Sequence, residues 1–198
     1  MRTKTLDQQT KMLDAAAKLF GAQRFHEVRM EDIATEAVVG KGTLYRYFKD
    51  KEELYDALLG RASQQFLSRL SQAEARSERP RERLEALVAA IINFFDEQPH
   101  LSDLIQRSEI LVRRGGTFGW QKTRDEVSHL IRGVFDQGNT AGEFTIRDPD
   151  IMVLMFLGGL RSVIRFGTKP RAPDLAQRIV TAFLQGADIS HFEDINRN

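Results

Sequence analysis

Apolar residues recur at three- and four-residue steps along most of the chain, which is the spacing of one face of an amphipathic helix. The first stripe predicts a helix from Leu6 to Phe20. Thr5 and Gln8 have the spacing of a capping box at its start, and Gly21 ends the pattern. No stretch alternates apolar and polar residues over a useful length, so the pattern predicts an all-α protein.

Further stripes predict eight more helices, separated by polar, glycine or proline-containing stretches. Asp148 and Pro149 mark one start clearly, because aspartate caps helices and proline is favoured at the first helical position. We expect three short helices in an N-terminal domain over residues 1–50 and a helical bundle over residues 51–198. The predicted ranges are about 30–37, 40–49, 51–75, 84–95, 101–111, 120–138, 149–166 and 174–187.

The composition narrows the possible chemistry. The 198 residues include no cysteine, which removes disulfides, thiolate nucleophiles and cysteine-ligated zinc. The four histidines are scattered, and no phosphate-binding loop follows a strand, so we expect no metal, no cofactor and no enzymatic activity. No segment has the length of a membrane span or the pattern of a signal peptide. We therefore expect a cytoplasmic protein without a membrane partner.

Positive charge is concentrated in one short segment. The formal net charge is only +1, so any affinity for phosphate must come from a local patch. Between Lys41 and Lys51 basic residues outnumber acidic ones four to one. A tight turn before this segment predicts a helix-turn-helix, whose second helix enters the major groove of DNA. Leu44 and Phe48 already fill its buried stripe, which leaves its tyrosines on other faces.

The segment from Gln8 to Leu59 resembles the DNA-binding domain of TetR-family transcriptional repressors. The resemblance implies a homodimer that binds a palindromic operator in double-stranded DNA. It also implies a C-terminal domain that binds a small molecule and releases the DNA when the molecule is bound. The matching residues are Ala15-Ala16-Ala17-Lys18-Leu19-Phe20, Ile33-Ala34, Ala37, Gly42-Thr43-Leu44-Tyr45-Arg46-Tyr47-Phe48 and Lys51-Glu52-Glu53-Leu54.

On the matching positions, the resemblance implies contacts to bases or backbone from Thr43 and Tyr45 and a phosphate contact from Tyr47. It implies that Lys51 clamps a phosphate at the start of the fourth helix. Arg29 stands where the family often has a phosphate-binding threonine, and it could replace that contact electrostatically. The complete expected set is Arg29, Lys41, Gly42, Thr43, Tyr45, Arg46, Tyr47 and Lys51.

The turn of the helix-turn-helix departs from the family pattern. Val38 stands where glycine is usual, and a β-branched residue resists a positive φ, so we expect strain or a slightly remodelled turn. Gly40 stands where a capping serine is usual, at a cost of only a few tenths of a kcal/mol. Met30 cannot replace a threonine that binds phosphate.

The bundle supplies candidates for a ligand pocket and a dimer interface. Gly158 and Gly159 lie inside an apolar helix, which suggests close approach of another helix. The resemblance implies that the last two helices pair with their copies, through Met152, Phe156, Gly159, Val163, Ile179 and Phe183. Other apolar residues could line a pocket or equally form solid core: Phe66, Leu70, Ile91, Phe95, Leu104, Trp120, Val127 and Met155.

A second hypothesis is a ligand-binding or interaction protein whose helix-turn-helix no longer reads DNA. The near-neutral charge of residues 1–60 and the valine in the turn are its best support. Because pocket residues of this kind are mostly apolar in the family, the preferred hypothesis includes a hydrophobic inducer.

Overall fold

All the regular structure that the computed structural model describes is α-helical, which confirms the predicted all-α fold. The described residues are 2–102, 104–106 and 119–187. Short helical turns also lie at 100–102 and 104–106. The longer helices in these ranges are α1 (Arg2–Ala22), α2 (Met30–Glu36), α3 (Lys41–Tyr47), α4 (Lys51–Glu74), α5 (Pro80–Glu97), α6 (Gly119–Thr140), α7 (Pro149–Phe166) and α8 (Leu175–Ala187).

Helix boundaries match the predictions unevenly. The carboxylate of Asp148 accepts a hydrogen bond from the N–H of Ile151 at 3.2 Å and Pro149 follows it, so the predicted start of α7 is confirmed. The predicted start of α1 is wrong, because α1 begins at Arg2 and Thr5 therefore lies within it. Most of the predicted 101–111 helix, from residue 107 onward, lies outside the described residues.

The chain divides into two compact units. The first contains Met1–Gln65 and Gln98–Gln121, and the second contains Phe66–Glu97 and Lys122–Asn198. The predicted boundary at residue 50 differs from this division, because α4 begins at Lys51 and contributes residues to both units.

An aromatic cluster stabilises the first unit. The rings of Phe20 and Phe25 stack with centroids 5.3 Å apart, and Tyr55 of α4 meets both of them edge-on. Tyr55 is buried, and its hydroxyl donates a hydrogen bond to the carbonyl of Leu104. The first half of α4 therefore contacts both the end of α1 and Leu104.

The described part of the second unit has two aromatic cores and a half-buried arginine. Its aromatic cores are Phe66 with Phe94 and Phe95, and Phe135 with Phe156 and Phe183. The guanidinium of Arg171 donates to both carboxylate oxygens of Asp96, at 3.0 and 3.2 Å, and to carbonyls in the last turn of α7. Arg171 thus donates to carbonyls at the helix end, where intrahelical partners run out, and the carbonyl of Val163 also accepts from the N–H of Gly167.

A close contact after α6 depends on a glycine. The ring of Phe144 lies against the backbone of Gly138, where an added Cβ would overlap it. Phe144 is buried, and its ring meets Phe135 edge-on at 6.5 Å. The chain can fold back on α6 at this point because residue 138 has no side chain.

Candidate DNA interface

The turn between α2 and α3 closes through a residue in the left-handed region. Val38 has φ +55°, and its N–H donates to the carbonyl of Thr35 at 3.1 Å. The N–H of Val39 donates to the carbonyl of Ala34 at 2.9 Å, which completes the pattern of a Schellman motif. This motif favours glycine at the position of Val38, so the expected strain at this residue is present in the structure.

The start of α2 is fixed by Arg29 and Asp32. Arg29 is the N-cap residue, and its backbone N–H donates to the carboxylate of Asp32 at 3.1 Å. The Arg29 side chain is exposed at this helix start. Met30 is buried beside it, which explains why an apolar residue stands where the family pattern has a threonine.

The orientation of α3 follows from two buried side chains. Leu44 and Phe48 are fully or almost fully buried in the first unit, as expected. Gly40 is the N-cap residue with extended backbone geometry, so this predicted cap is confirmed. With α3 held in this rotation, Lys41, Gly42, Tyr45 and Arg46 are exposed, while Thr43 and Tyr47 are half-buried. Four of the eight expected DNA-contacting residues therefore form one continuous exposed face on α3, namely Lys41, Gly42, Tyr45 and Arg46.

Tyr47 also makes contacts within the protein. Its hydroxyl donates to the side-chain oxygen of Gln8 at 3.2 Å, and the guanidinium of Arg46 lies 5.7 Å from its ring centre. This hydrogen bond joins α3 to α1. Tyr47 is thus held in place before any DNA is bound, and its phosphate contact stays a prediction.

The ammonium of Lys51 makes contacts within the protein. Its ammonium donates to the carbonyls of Phe25 and Val28, at 2.7 and 2.9 Å, and lies 4.3 Å from the centre of the Phe25 ring. These bonds connect the start of α4 to the loop between α1 and α2. Two of the three N–H donors of Lys51 are thus engaged within the protein, and its phosphate contact stays a prediction.

Carboxylates occupy the start of α4. The Asp50 side chain accepts from the N–H of Glu53 at 2.8 Å, and the Glu53 side chain accepts from the N–H of Lys49 at 2.8 Å. This arrangement is close to a capping box, and the Asp-x-x-Glu spacing was present in the sequence. Because these acids satisfy free N–H groups at the helix start, they disfavour a phosphate at the same place.

Sequence reasoning missed Glu31. Its carboxylate lies 2.6 Å from the ammonium of Lys41, so an acid of α2 stands beside the first residue of α3. The hydrogen bond between them lowers the pKa of Glu31 and raises the pKa of Lys41. The ammonium of Lys41 also lies 5.8 Å from the ring centre of Tyr45. No periodicity predicts this pair, because it depends on the angle between two helices.

The expected ligand-binding residues are mostly core. Leu104 and Trp120 are buried in the first unit, and the others belong to the second. Met155 is the exception, since its side chain is 62% exposed on α7. It therefore leaves the set of core-facing candidates. The buried candidates of the second unit are Phe66, Leu70, Ile91 and Val127, with Phe95 half-buried.

The expected dimer residues lie on different faces. Phe156 is 3% exposed and packs on Phe135 and Phe183 in the core of the second unit. Gly159 is exposed, and an added Cβ there would meet nothing in the described chain. The remaining members are half-buried, namely Met152, Val163, Ile179 and Phe183.

The fold and the exposed basic face of α3 define a helix-turn-helix DNA-binding protein. Residues 12–58 match the family model of bacterial regulatory proteins of the tetR family, and residues 77–186 match the tetracyclin repressor-like C-terminal domain. The chain therefore belongs to the TetR family, and the resemblance seen in the sequence is confirmed. Because the family and the relatives below are transcriptional regulators, the chain is a regulator and not an enzyme.

Relatives of known sequence or structure agree with this assignment. An uncharacterized HTH-type transcriptional regulator, YhgD of Bacillus subtilis (strain 168), is 23% identical over 91% of this chain and 94% of its own length. The HTH-type transcriptional repressor KstR of Mycobacterium tuberculosis is 25% identical over 70% of this chain and 61% of its own. The crystal structure of the regulator FadR from Bacillus subtilis in complex with stearoyl-CoA superposes with a TM-score of 0.73. It is 20% identical and covers 89% of this chain and 98% of FadR.

The described residues contain neither a membrane-spanning helix nor a group of metal-binding side chains. None of the described helices is long and apolar enough to cross a membrane. Within the same residues, no three histidine, aspartate or glutamate side chains are grouped so that they could hold a metal ion.

Proposed function

We propose that this chain is a homodimeric, ligand-responsive repressor that binds a palindromic operator. The observation that carries the proposal is the exposed face of α3, on which Lys41, Tyr45 and Arg46 project from a helix anchored by Leu44 and Phe48. Two such helices in one dimer would enter successive major grooves, about 34 to 36 Å apart. Phosphate contacts would position the dimer, and side chains of α3 would read base edges.

An exposed apolar face on α7 supports the homodimer. Ile151, Leu154 and Phe166 are 55%, 70% and 78% exposed, and Met155 lies beside them. Exposed apolar side chains grouped on one helix are typical of an interaction surface. The exposed Gly158 and Gly159 would let a second helix approach closely, and no side chain of the described chain fills that space. We propose that a second copy of α7 and α8 covers this face.

The ligand proposal rests on the second unit and on a relative. Because FadR was crystallised with stearoyl-CoA, we propose a hydrophobic inducer of the acyl-CoA type for this chain. The aromatic side chains Phe66, Phe94 and Phe95 would supply apolar contacts to an acyl chain. The ligand can shift DNA affinity only if it binds the free and DNA-bound conformations differently, typically by about 1 to 3 kcal/mol.

The proposal is tested with the purified chain and the DNA upstream of its own gene. Sedimentation should give a dimer, and fluorescence anisotropy should show binding that weakens steeply with salt. Stearoyl-CoA should then release the DNA, whereas free CoA should not. A monomer, or a chain that ignores every duplex at low salt, would refute the repressor and favour the hypothesis of a helix-turn-helix that no longer reads DNA.

A further inference from the structure

An ion pair joins α2 to α3 on the exposed side of the helix-turn-helix. Glu31 lies in the first turn of α2, and its carboxylate is 2.6 Å from the ammonium of Lys41, the first residue of α3. The two side chains are 48% and 64% exposed. The same ammonium faces the ring of Tyr45. A carboxylate therefore stands among the groups that we propose for DNA contact.

The same helix carries a second ion pair of the same type in another place. Glu36 at the end of α2 lies 2.5 Å from the ammonium of Lys18 on α1. Both pairs join an exposed lysine to an acid of α2, but only the pair of Glu31 involves α3. Glu31 and Glu36 therefore form comparable ion pairs, but only Glu31 contacts the recognition helix α3.

We propose that Glu31 lowers the sequence-independent affinity of the protein for DNA by occupying the ammonium of Lys41. The inference rests on the DNA-binding function proposed above. Sequence-independent binding comes from lysines and arginines that neutralise phosphates and release counterions. Lys41 already has a carboxylate partner, so a phosphate bound to the same ammonium lies beside the negative charge of Glu31. The repulsion between the carboxylate and the phosphate weakens the contact.

Glu31 weakens a contact between Lys41 and a base edge less than a contact between Lys41 and a phosphate. An ammonium has three N–H donors, so Lys41 can keep one on Glu31 and give another to an acceptor such as guanine O6 or N7. The carboxylate then orients the lysine instead of competing with the ligand. Glu31 thereby acts as a specificity-determining residue, because it reduces binding to arbitrary DNA more than binding through base contacts.

The test measures binding of the full-length chain to a random-sequence duplex at about 50 and about 200 mM salt. Glu31→Gln should bind about threefold to tenfold more tightly at the lower salt, with a salt slope steeper by about 0.9 for each Lys41 that gains a phosphate. Glu36→Gln is the control, since it removes one negative charge and one lysine partner from the same helix. Lys41→Gln and the Glu31→Gln/Lys41→Gln double variant complete the cycle.

Each outcome decides the question. A gain confined to Glu31→Gln and abolished in the double variant supports the inference. Equal gains in Glu31→Gln and Glu36→Gln would overturn it, because general repulsion would then explain both. Unchanged or weaker binding by Glu31→Gln, or a gain that persists without Lys41, would overturn it as well. If the wild-type chain binds no duplex, the proposed DNA-binding function fails together with the inference. If the wild-type chain binds DNA but Glu31→Gln does not bind it more tightly, only the inference fails.

Discussion

Replacing Val38 by glycine should stabilise the first unit. Val38 has φ +55° and is 90% exposed, so its side chain gains little from burial while its backbone occupies a region that disfavours β-branched residues. A non-glycine residue in the left-handed region costs about 1–2 kcal/mol. The substitution removes this cost and keeps the backbone hydrogen bonds of the turn.

Two smaller effects oppose the gain. Glycine has more conformational freedom in the unfolded chain, which costs about 0.5–1 kcal/mol. The side chain of Val38 is nearly all exposed, so its lost burial amounts to only about 0.2 kcal/mol. At the middle of these ranges the net stabilisation is about 0.5 kcal/mol, which corresponds to a rise of roughly 1–2 °C in the unfolding midpoint for a chain of this size.

The one tryptophan of the chain provides a probe specific to this unit. Trp120 is buried and belongs to the first unit, so its fluorescence should follow the unfolding of that unit in urea or on heating. Val39→Gly is the matched control, because Val39 is the neighbouring valine, is half-buried and does not have a positive φ. Val39→Gly should lower the unfolding midpoint, whereas Val38→Gly should raise it. If Val38→Gly lowers the midpoint as Val39→Gly does, the strain argument is wrong.

The other predictions use the same fluorescence assay or circular dichroism. Lys51→Met should destabilise the first unit by about 1.5–3 kcal/mol, because charge-assisted hydrogen bonds to two carbonyls are lost. It should also flatten the salt slope of DNA binding, because the predicted phosphate contact is lost, and an unchanged slope would refute that contact. Gly138→Ala should lower the free energy of unfolding by about 1–3 kcal/mol, because the added Cβ overlaps Phe144. Gly133→Ala on the same helix should be stabilising, because an added Cβ there meets nothing within 4 Å and alanine favours a helix. Equal effects of the two substitutions would contradict the contact with Phe144. Burial lowers the pKa of His100 below its ordinary 6.5, so stability should fall as the pH drops below about 6.5, where the unfolded chain binds the proton more readily. His100→Gln should flatten this pH dependence, and an unchanged profile would show that another group is responsible.

The sequence predicted the fold and the position of the recognition helix well, because both follow from local patterns. Leu44 and Phe48 are spaced one turn apart, which set the buried face of α3 and left Tyr45 exposed as expected. The strain at Val38 was also predictable, since the turn required a conformation that its side chain disfavours. Asp148 and Pro149 marked a helix start without any tertiary information.

Other features depended on contacts between distant residues and could not be read from spacing. The hydrogen bond from the ammonium of Lys51 to the carbonyl of Phe25 spans 26 residues of sequence. The Glu31 contact with Lys41 required the angle between α2 and α3. Phe156 had the apolar character of an interface residue, and only the packing of Phe135 and Phe183 showed that it lies in the core.

The contacts of Tyr55 have a practical consequence for engineered regulators. A DNA-binding head cut at residue 50 would lose the ring that covers Phe20 and Phe25, together with the bonds of Lys51 to the loop beside them. A hybrid regulator that takes its operator specificity from this chain should therefore carry residues 1–65 and 98–121 as one graft. The compact unit that contains the recognition helix is discontinuous in sequence.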